Sequence, residues 1–310
     1  MKTFDKTIRV FRLLTALLAA VLPALAAPAL SATLKEGPLT VTFPDTVGEG
    51  QPFLLEVSLD NQVETVTVEW LGKTTPVTLK RQGGLFRGEQ ILGAGLGTKH
   101  GEQTIVVEAV RPNRREMVLG KLQVTSVDFP EQRLSLPQQM VTPSKENLAR
   151  IKCEQELINK ALATQSPRKF WGFPFLRPVP GEVTSAFGLR RILNGQPRSP
   201  HSGIDFDGQK GEPVHAANQG RVILTGDFYF NGRSVFLDHG QGIITMYFHL
   251  DEIGVKPDQH VERGQLIGKV GSSGRSTGPH LHFGMKLQGQ AVDPMPLFTA
   301  GGPFDRREGS

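Results

Sequence analysis

The chain has 310 residues, 38% of them hydrophobic and 21% charged, a formal net charge of +5 and one cysteine. These figures exclude a disordered chain, a collagen-like one and a disulfide scaffold, and the length suits two ordinary domains. Residues 1–32 carry Lys2, Lys6, Arg9 and Arg12 against Asp5 alone, so the remainder holds only +2 and no nucleic-acid partner is implied.

The first segment reads as a secretory signal peptide. A basic stretch precedes the apolar run Leu13 to Leu22, and Ala24-Leu25-Ala26, Ala27-Pro28-Ala29 and Ala29-Leu30-Ser31 each offer small residues at the cleavage positions. The uncharged span 13–32 would also suit an uncleaved anchor, which Pro23 and Pro28 argue against. The absence of Cys nearby argues against a lipid anchor. The expectation is an exported protein, periplasmic or associated with the cell envelope, with no stable membrane partner. Cys153 has no partner for an internal disulfide and no neighbouring His to activate it, so it reads as a small, partly buried side chain.

From Leu39 to about Val127 the apolar residues recur with period two. Phe53, Leu55, Val57 and Leu59 form one set, Val66, Val68 and Trp70 another, and Pro76-Val77-Thr78-Leu79 reads as a further strand. Turn signals at Gly48-Glu49-Gly50, Asp60-Asn61 and Gly83-Gly84 separate the runs. Short alternating strands at this spacing predict an antiparallel sandwich of immunoglobulin-like size. Gly93-Ala94-Gly95-Leu96-Gly97 lacks the helix that would make it a phosphate cradle, and His100 reads as a loop residue. Residues 142–163 predict one helix, with Pro143 in its first turn, a stripe of Leu148, Ile151, Ile158 and Leu162, and a Glu156–Lys160 pair. Phe170 to Pro180 reads as a connector with little regular structure, after which short strands resume.

Seven of the eight histidines fall between positions 201 and 282, denser than a solvated surface requires. His201-Ser-Gly-Ile-Asp205 places imidazole and carboxylate four apart, and His280-Leu-His282 places two imidazoles two apart. On strands both pairs project to one face, so two neighbouring strands can converge His and Asp on one ion. A third segment, Met246-Tyr-Phe-His249-Leu, adds another imidazole. Nitrogen and carboxylate donors without thiolate suit zinc, and there are more candidates than the three protein ligands of a catalytic zinc. Neither a His-Glu-x-x-His motif nor a complete P-loop is present. His215, His239 and His260 read as structural or exposed, and Asp207 is a spare carboxylate. Arg275, Ser276 and Thr277 suit either substrate contact or a tight loop.

These segments resemble the signatures of lysostaphin-type zinc endopeptidases, the LytM domain. The resemblance rests on His201-Ser-Gly-Ile-Asp205, Tyr247-Phe-His249-Leu250 and Gly278-Pro-His280-Leu-His282-Phe283. Flanking blocks follow in family order: Thr184 to Arg190, Val214 to Gly220, Asp238-His-Gly240 and Gly264 to Gly268. Together they span about residues 177–300. The resemblance implies an antiparallel β domain whose groove holds Zn2+ on His201, Asp205 and His282. It implies His280 as general base and His249 as oxyanion stabiliser or proton-transfer aid. The implied activity is hydrolysis of peptide bonds in bacterial peptidoglycan, cross-link or stem peptide, by a zinc-activated water, for cell-wall remodelling. The alternative is a non-catalytic member of the fold that binds peptidoglycan or activates another hydrolase, against which the intact ligand set argues. A pure adhesion protein leaves the histidines unexplained.

The expected organisation is mainly β: a signal peptide at 1–32, an immunoglobulin-like β-sandwich at 33–128, a linker with one helix at 129–176, a LytM-type antiparallel β-sheet peptidase domain at 177–302 and a polar tail at 303–310. The connector allows an intramolecular contact between sandwich and peptidase domain, and an inhibitory contact over the groove is a hypothesis of this arrangement.

Overall fold

The computed structural model describes residues 31–60, 63–135 and 138–298. The expected signal peptide, apart from Ser31 and Ala32, and the expected polar tail lie outside them. Ser31 opens the first strand.

Two five-stranded sheets form the N-terminal region. One runs Ser31–Glu36, Leu39–Pro44, Gln51–Leu59, Leu85–Ala94, Leu79–Gln82; the other runs Thr46–Gly48, Arg114–Thr125, Gly101–Arg111, Thr65–Trp70, Lys73–Pro76. Alternation decides which residues face inward. Phe53, Leu55, Val57 and Leu59 from one sheet, and Val66, Val68 and Trp70 from the other, meet in one core, where Phe53 meets Trp70 edge-on at 5.2 Å. The run 76–79 is not one strand. Pro76 ends a strand of one sheet, Leu79 starts a strand of the other, and Val77 fills the core at the crossing.

The C-terminal region is built on a larger sheet, in the order Val183–Ser185, Gly203–Asp207, His280–Leu287, Ile243–Leu250, Gly232–Asp238, Gly220–Phe228, His260–Val261. One face packs Ile204, Phe206, Tyr247, Leu281, Phe283, Met285 and Leu287 into an apolar core. The other face carries Phe228, Phe236, Ile244 and Met246, covered by Ile158 of the helix Lys145–Leu162.

That helix begins later than expected. Ser144 accepts a hydrogen bond from the Asn147 N–H and caps it, leaving Pro143 outside. Leu148 is exposed, and the face that docks is Ile158 and Ala161. Its i,i+4 ion pair is Arg150–Glu154 at 2.6 Å rather than Glu156–Lys160. Both partners also serve tertiary contacts, Arg150 to the Asp227 carbonyl and Glu154 to the Tyr229 N–H. Cys153 lies on the outward face and is exposed, not partly buried.

The stretch expected as a linker is largely integrated into the C-terminal region. Glu131–Leu134 is a strand paired in parallel with Arg190–Leu193. Phe170 to Pro180 has no regular strand or helix, yet Trp171, Phe175 and Val179 are buried in the main core.

The sandwich docks on the C-terminal region through a polar seam. The buried Gln288 amide donates to the Ile91 and Gln241 carbonyls, at 3.1 and 2.9 Å. The Gln241 amide donates to the Pro76 carbonyl, and Lys169 pairs with Glu89 at 2.8 Å. The glycine-rich stretch belongs to this seam. A Cβ on Gly93 would lie 2.5 Å from Val292, and one on Gly95 would lie 2.8 Å from Gln290. Hydrogen bonds and ion pairs from the sandwich strands run to Lys169, Gln241, Gln288, Ala291 and Asp293. The sandwich also meets Phe187, where a Cβ on Gly50 would lie 2.7 Å from the ring.

Candidate metal centre

Register brings the candidate ligands together. Asp205 is the direct cross-strand partner of His282, and His282 pairs on its other side with Phe248. His201 lies before the strand Gly203–Asp207, its backbone held by the Leu189 carbonyl and the Gly188 N–H. The donor atoms converge: His201 Nε2 is 3.0 Å from Asp205 Oδ1 and 3.0 Å from His282 Nδ1, and His282 Nδ1 is 2.8 Å from Asp205 Oδ1. All three residues are buried. Gly203 makes room for them, because a Cβ there would lie 2.5 Å from the Phe283 carbonyl oxygen and 2.7 Å from His282 Nε2. The His282 ring stacks on Phe248, 5.2 Å between centroids and 7° between planes.

The hydrogen bonds around the cluster fix what it can bind. His201 Nδ1 faces the Ala186 carbonyl at 2.8 Å and must donate to it. In a neutral ring Nε2 then carries a lone pair, aimed at a carboxylate oxygen and at another imidazole nitrogen. The His201 lone pair and the Asp205 carboxylate oxygen, two acceptors 3.0 Å apart, repel unless a proton or a metal cation lies between them. Two imidazoles and a carboxylate, with a backbone carbonyl orienting the first ring, fit a zinc ion of the three-ligand catalytic kind. Burial pushes the His282 imidazole down to about 4, keeping it neutral and able to ligate at neutral pH. Burial works to raise the Asp205 carboxyl, but its close contacts with the His201 and His282 imidazoles outweigh it and hold the group well below the usual carboxylate range.

His249 and His280 stand beside the three ligands, their rings 4.8 Å apart, with His249 6.2 Å from the His282 ring. His249 Nδ1 donates to the Ser273 carbonyl at 2.8 Å, and His280 Nδ1 donates to the Gly278 carbonyl at 2.9 Å. Each neutral ring therefore keeps its Nε2 lone pair as an acceptor. His249 adopts φ 62°, a left-handed conformation costly for a residue with a Cβ, held by its N–H to the Asn231 carbonyl. Burial, then the His282 and His280 charges, push its imidazole down to about 3.

The remaining candidates divide clearly. Asp207 is exposed and stays outside the cluster. His239 is fully buried on the opposite side of the sheet, bonded to the Gln219 carbonyl and Thr245 Oγ1, both at 2.7 Å. His260 is exposed, with its ring 5.8 Å from Phe170. Ser276 reaches His280 Nδ1 at 3.2 Å and the Gly278 carbonyl, so the tight loop itself orients an imidazole. Sequence reasoning missed Arg191, whose Nη2 lies 3.3 Å from Asp205 Oδ2. It adjoins the block Thr184 to Arg190, but only the fold of the strand Arg190–Leu193 against the cluster shows the contact.

Comparison with known proteins now decides the family. The model of Peptidase family M23 matches residues 199–294. A solved Pseudomonas aeruginosa structure assigned to peptidase M23 is 33% identical and superposes with a TM-score of 0.61, covering 80% of this chain and 94% of that one. The chain belongs to peptidase family M23. Among curated relatives, peptidoglycan DD-endopeptidase ShyA of Vibrio cholerae is 40% identical over 114 residues, which are 36% of this chain and 26% of ShyA. DD-carboxypeptidase/endopeptidase Mpg of Neisseria meningitidis serogroup B is 36% identical over 126 residues, 41% of this chain and 29% of Mpg. The match spans little more than a quarter of these relatives. In this M23 chain all five motif residues lie within the matched segment.

Proposed function

We propose that this chain is an exported zinc endopeptidase that cleaves peptide bonds of peptidoglycan during cell-wall remodelling. The observation that carries the reading is the lone pair of His201 Nε2 set against Asp205 Oδ1 and His282 Nδ1, an arrangement in need of a cation. The relatives named as peptidoglycan endopeptidases supply the substrate class. The sandwich, immunoglobulin-like in size, acts as a fixed module behind the peptidase domain.

His201, Asp205 and His282 would hold the zinc. When bound, the ion supplies Lewis acidity that polarises the scissile carbonyl and brings the pKa of its water to about 7. His280, with Nδ1 committed to the Gly278 carbonyl, presents Nε2 as the base that takes the proton. His249 is held as a second acceptor by Ser273, which supports a role in moving protons over one as an oxyanion donor in the resting protein. Arg191 holds the far oxygen of Asp205 and orients the carboxylate.

The test is digestion of purified peptidoglycan by the zinc-loaded chain, with and without a chelator, with mass spectrometry of the released fragments. Chelator-sensitive release of peptides cut at one bond type is expected, and His280→Ala should abolish it. Intact peptidoglycan after incubation with the fully zinc-loaded chain would count against the reading.

A further inference from the structure

Three arginines border the cluster: the Arg198 N–H donates to the Arg191 carbonyl at 2.9 Å, Arg275 adjoins the loop that holds His280, and among the described residues only Arg191 of the three has a carboxylate partner. Arg191 reaches Asp205 with a single Nη, while its Nε is buried with no acceptor. Arg198, three residues before His201, is held by neutral acceptors alone: the Val141 carbonyl at 3.0 Å, the Pro197 carbonyl at 3.2 Å and the Gln196 side chain. Arg275 precedes Ser276, the residue that contacts His280, and lies over the Phe230 ring with Cζ 4.4 Å from its centroid. Burial, then the charges of Arg191 and Arg198, push the Arg275 guanidinium below its usual range, so the three groups sense one another.

Like charges brought together in a partly buried place repel, and the repulsion is relieved when an anion joins them. Asp205 is committed to two imidazoles and cannot neutralise three guanidiniums. The forked donors of arginine match a carboxylate, and the backbone and aromatic contacts hold Arg198 and Arg275 ready.

We propose that Arg191, Arg198 and Arg275 form an anion-recognition wall beside the His201–Asp205–His282 cluster, which takes a carboxylate carried by the substrate next to the bond being cut. The inference rests on the endopeptidase reading and names the residues that would give the site its substrate preference. A peptide bond made on a side-chain amine leaves the α-carboxylate of that residue free beside the bond, and such a substrate satisfies the wall. A main-chain bond in the interior of a peptide offers no charge there.

The test compares two synthetic cross-linked stem-peptide dimers that differ only in whether the carboxylate beside the scissile bond is free or amidated. The zinc-loaded full chain should favour the acid in kcat/KM by about tenfold or more, the worth of one charge-assisted hydrogen-bonded pair. Arg198→Gln and Arg275→Gln should each reduce that ratio to below about threefold, and Arg275→Lys should restore part of it. Equal rates on both dimers, or variants that lose both in the same proportion, would overturn the proposal. Binding of the same dimers to the zinc-loaded His280→Ala variant separates the two readings. Tighter binding of the acid without any turnover by the unsubstituted chain would sink the endopeptidase reading and keep the wall. Turnover without preference would do the reverse, and neither turnover nor preference would remove both.

Discussion

The strand His280–Leu287 has two faces with different tasks. Leu281, Phe283, Met285 and Leu287 are fully buried in the apolar core and hold the sheet together. His280 and His282, one step out of phase, point to the other face and meet His201, Asp205 and His249. The same contrast holds for imidazoles. His239, on the core side, spends both nitrogens on structural partners, whereas each imidazole of the cluster that bonds a backbone carbonyl turns its other nitrogen toward the site. Chemistry in this fold thus depends on which nitrogen is left free, and a period-two strand lets scaffold and site share eight residues.

Substitutions that separate the two faces should give opposite signatures. His282→Ala should cost on the order of a thousandfold in turnover, since the Lewis acid is worth several kcal/mol. Its secondary structure should persist, with a melting temperature no lower than that of the metal-stripped parent. Circular dichroism beside a peptidoglycan-release assay checks both. Phe283→Ala, one residue along, should instead destabilise the fold by about 3–5 kcal/mol in urea unfolding, through the cavity it leaves. If His282→Ala unfolded the chain and Phe283→Ala did not, the division of labour between the faces would be wrong.

A third prediction concerns His239, which burial pushes down to about 4. Its folded value lies below the unfolded value of about 6.5, so the unfolded chain binds the proton more readily between these limits. The stabilisation from keeping this ring neutral is complete above about pH 6.5. It is lost as pH falls toward 4, on the order of 3 kcal/mol over the window. Urea unfolding of the parent and His239→Gln at pH 7.5, 5.5 and 4.5 reads the difference, and the variant should show a shallower dependence. Identical slopes would move the acid sensitivity to other groups. The smallest effect is expected at Arg191, which touches a ligand rather than the metal. Arg191→Ala should weaken zinc affinity by about 10–100-fold, measured by competition with a chromophoric chelator.

Alternation made much of this legible in advance. Phe53, Leu55, Val57 and Leu59 point inward because a two-sheet core leaves them nowhere else to go, and Asp205 and His282 share a face for the same geometric reason. What stayed hidden depends on tertiary neighbours. Leu148 lies outside the docking face of its helix, because Phe228, Phe236 and Met246 meet Ile158 instead. The segment 76–79 reads as a strand by composition but crosses between sheets, which no periodicity records. The connector Phe170 to Pro180 lacks regular hydrogen bonding, so its burial through Trp171 and Phe175 leaves no periodic trace. Arg191 meets Asp205 from 14 residues away across a fold that local pattern does not contain.

The claim beneath the whole account is that His201, Asp205 and His282 hold one metal ion. Metal content after dialysis against trace zinc, measured by inductively coupled plasma mass spectrometry on the parent, Asp205→Ala and His282→Ala, tests it most directly. The account predicts about one zinc per parent chain and less than about a tenth in either variant, with the folds intact. Undiminished zinc in the folded variants, or a folded parent that binds none, would contradict it.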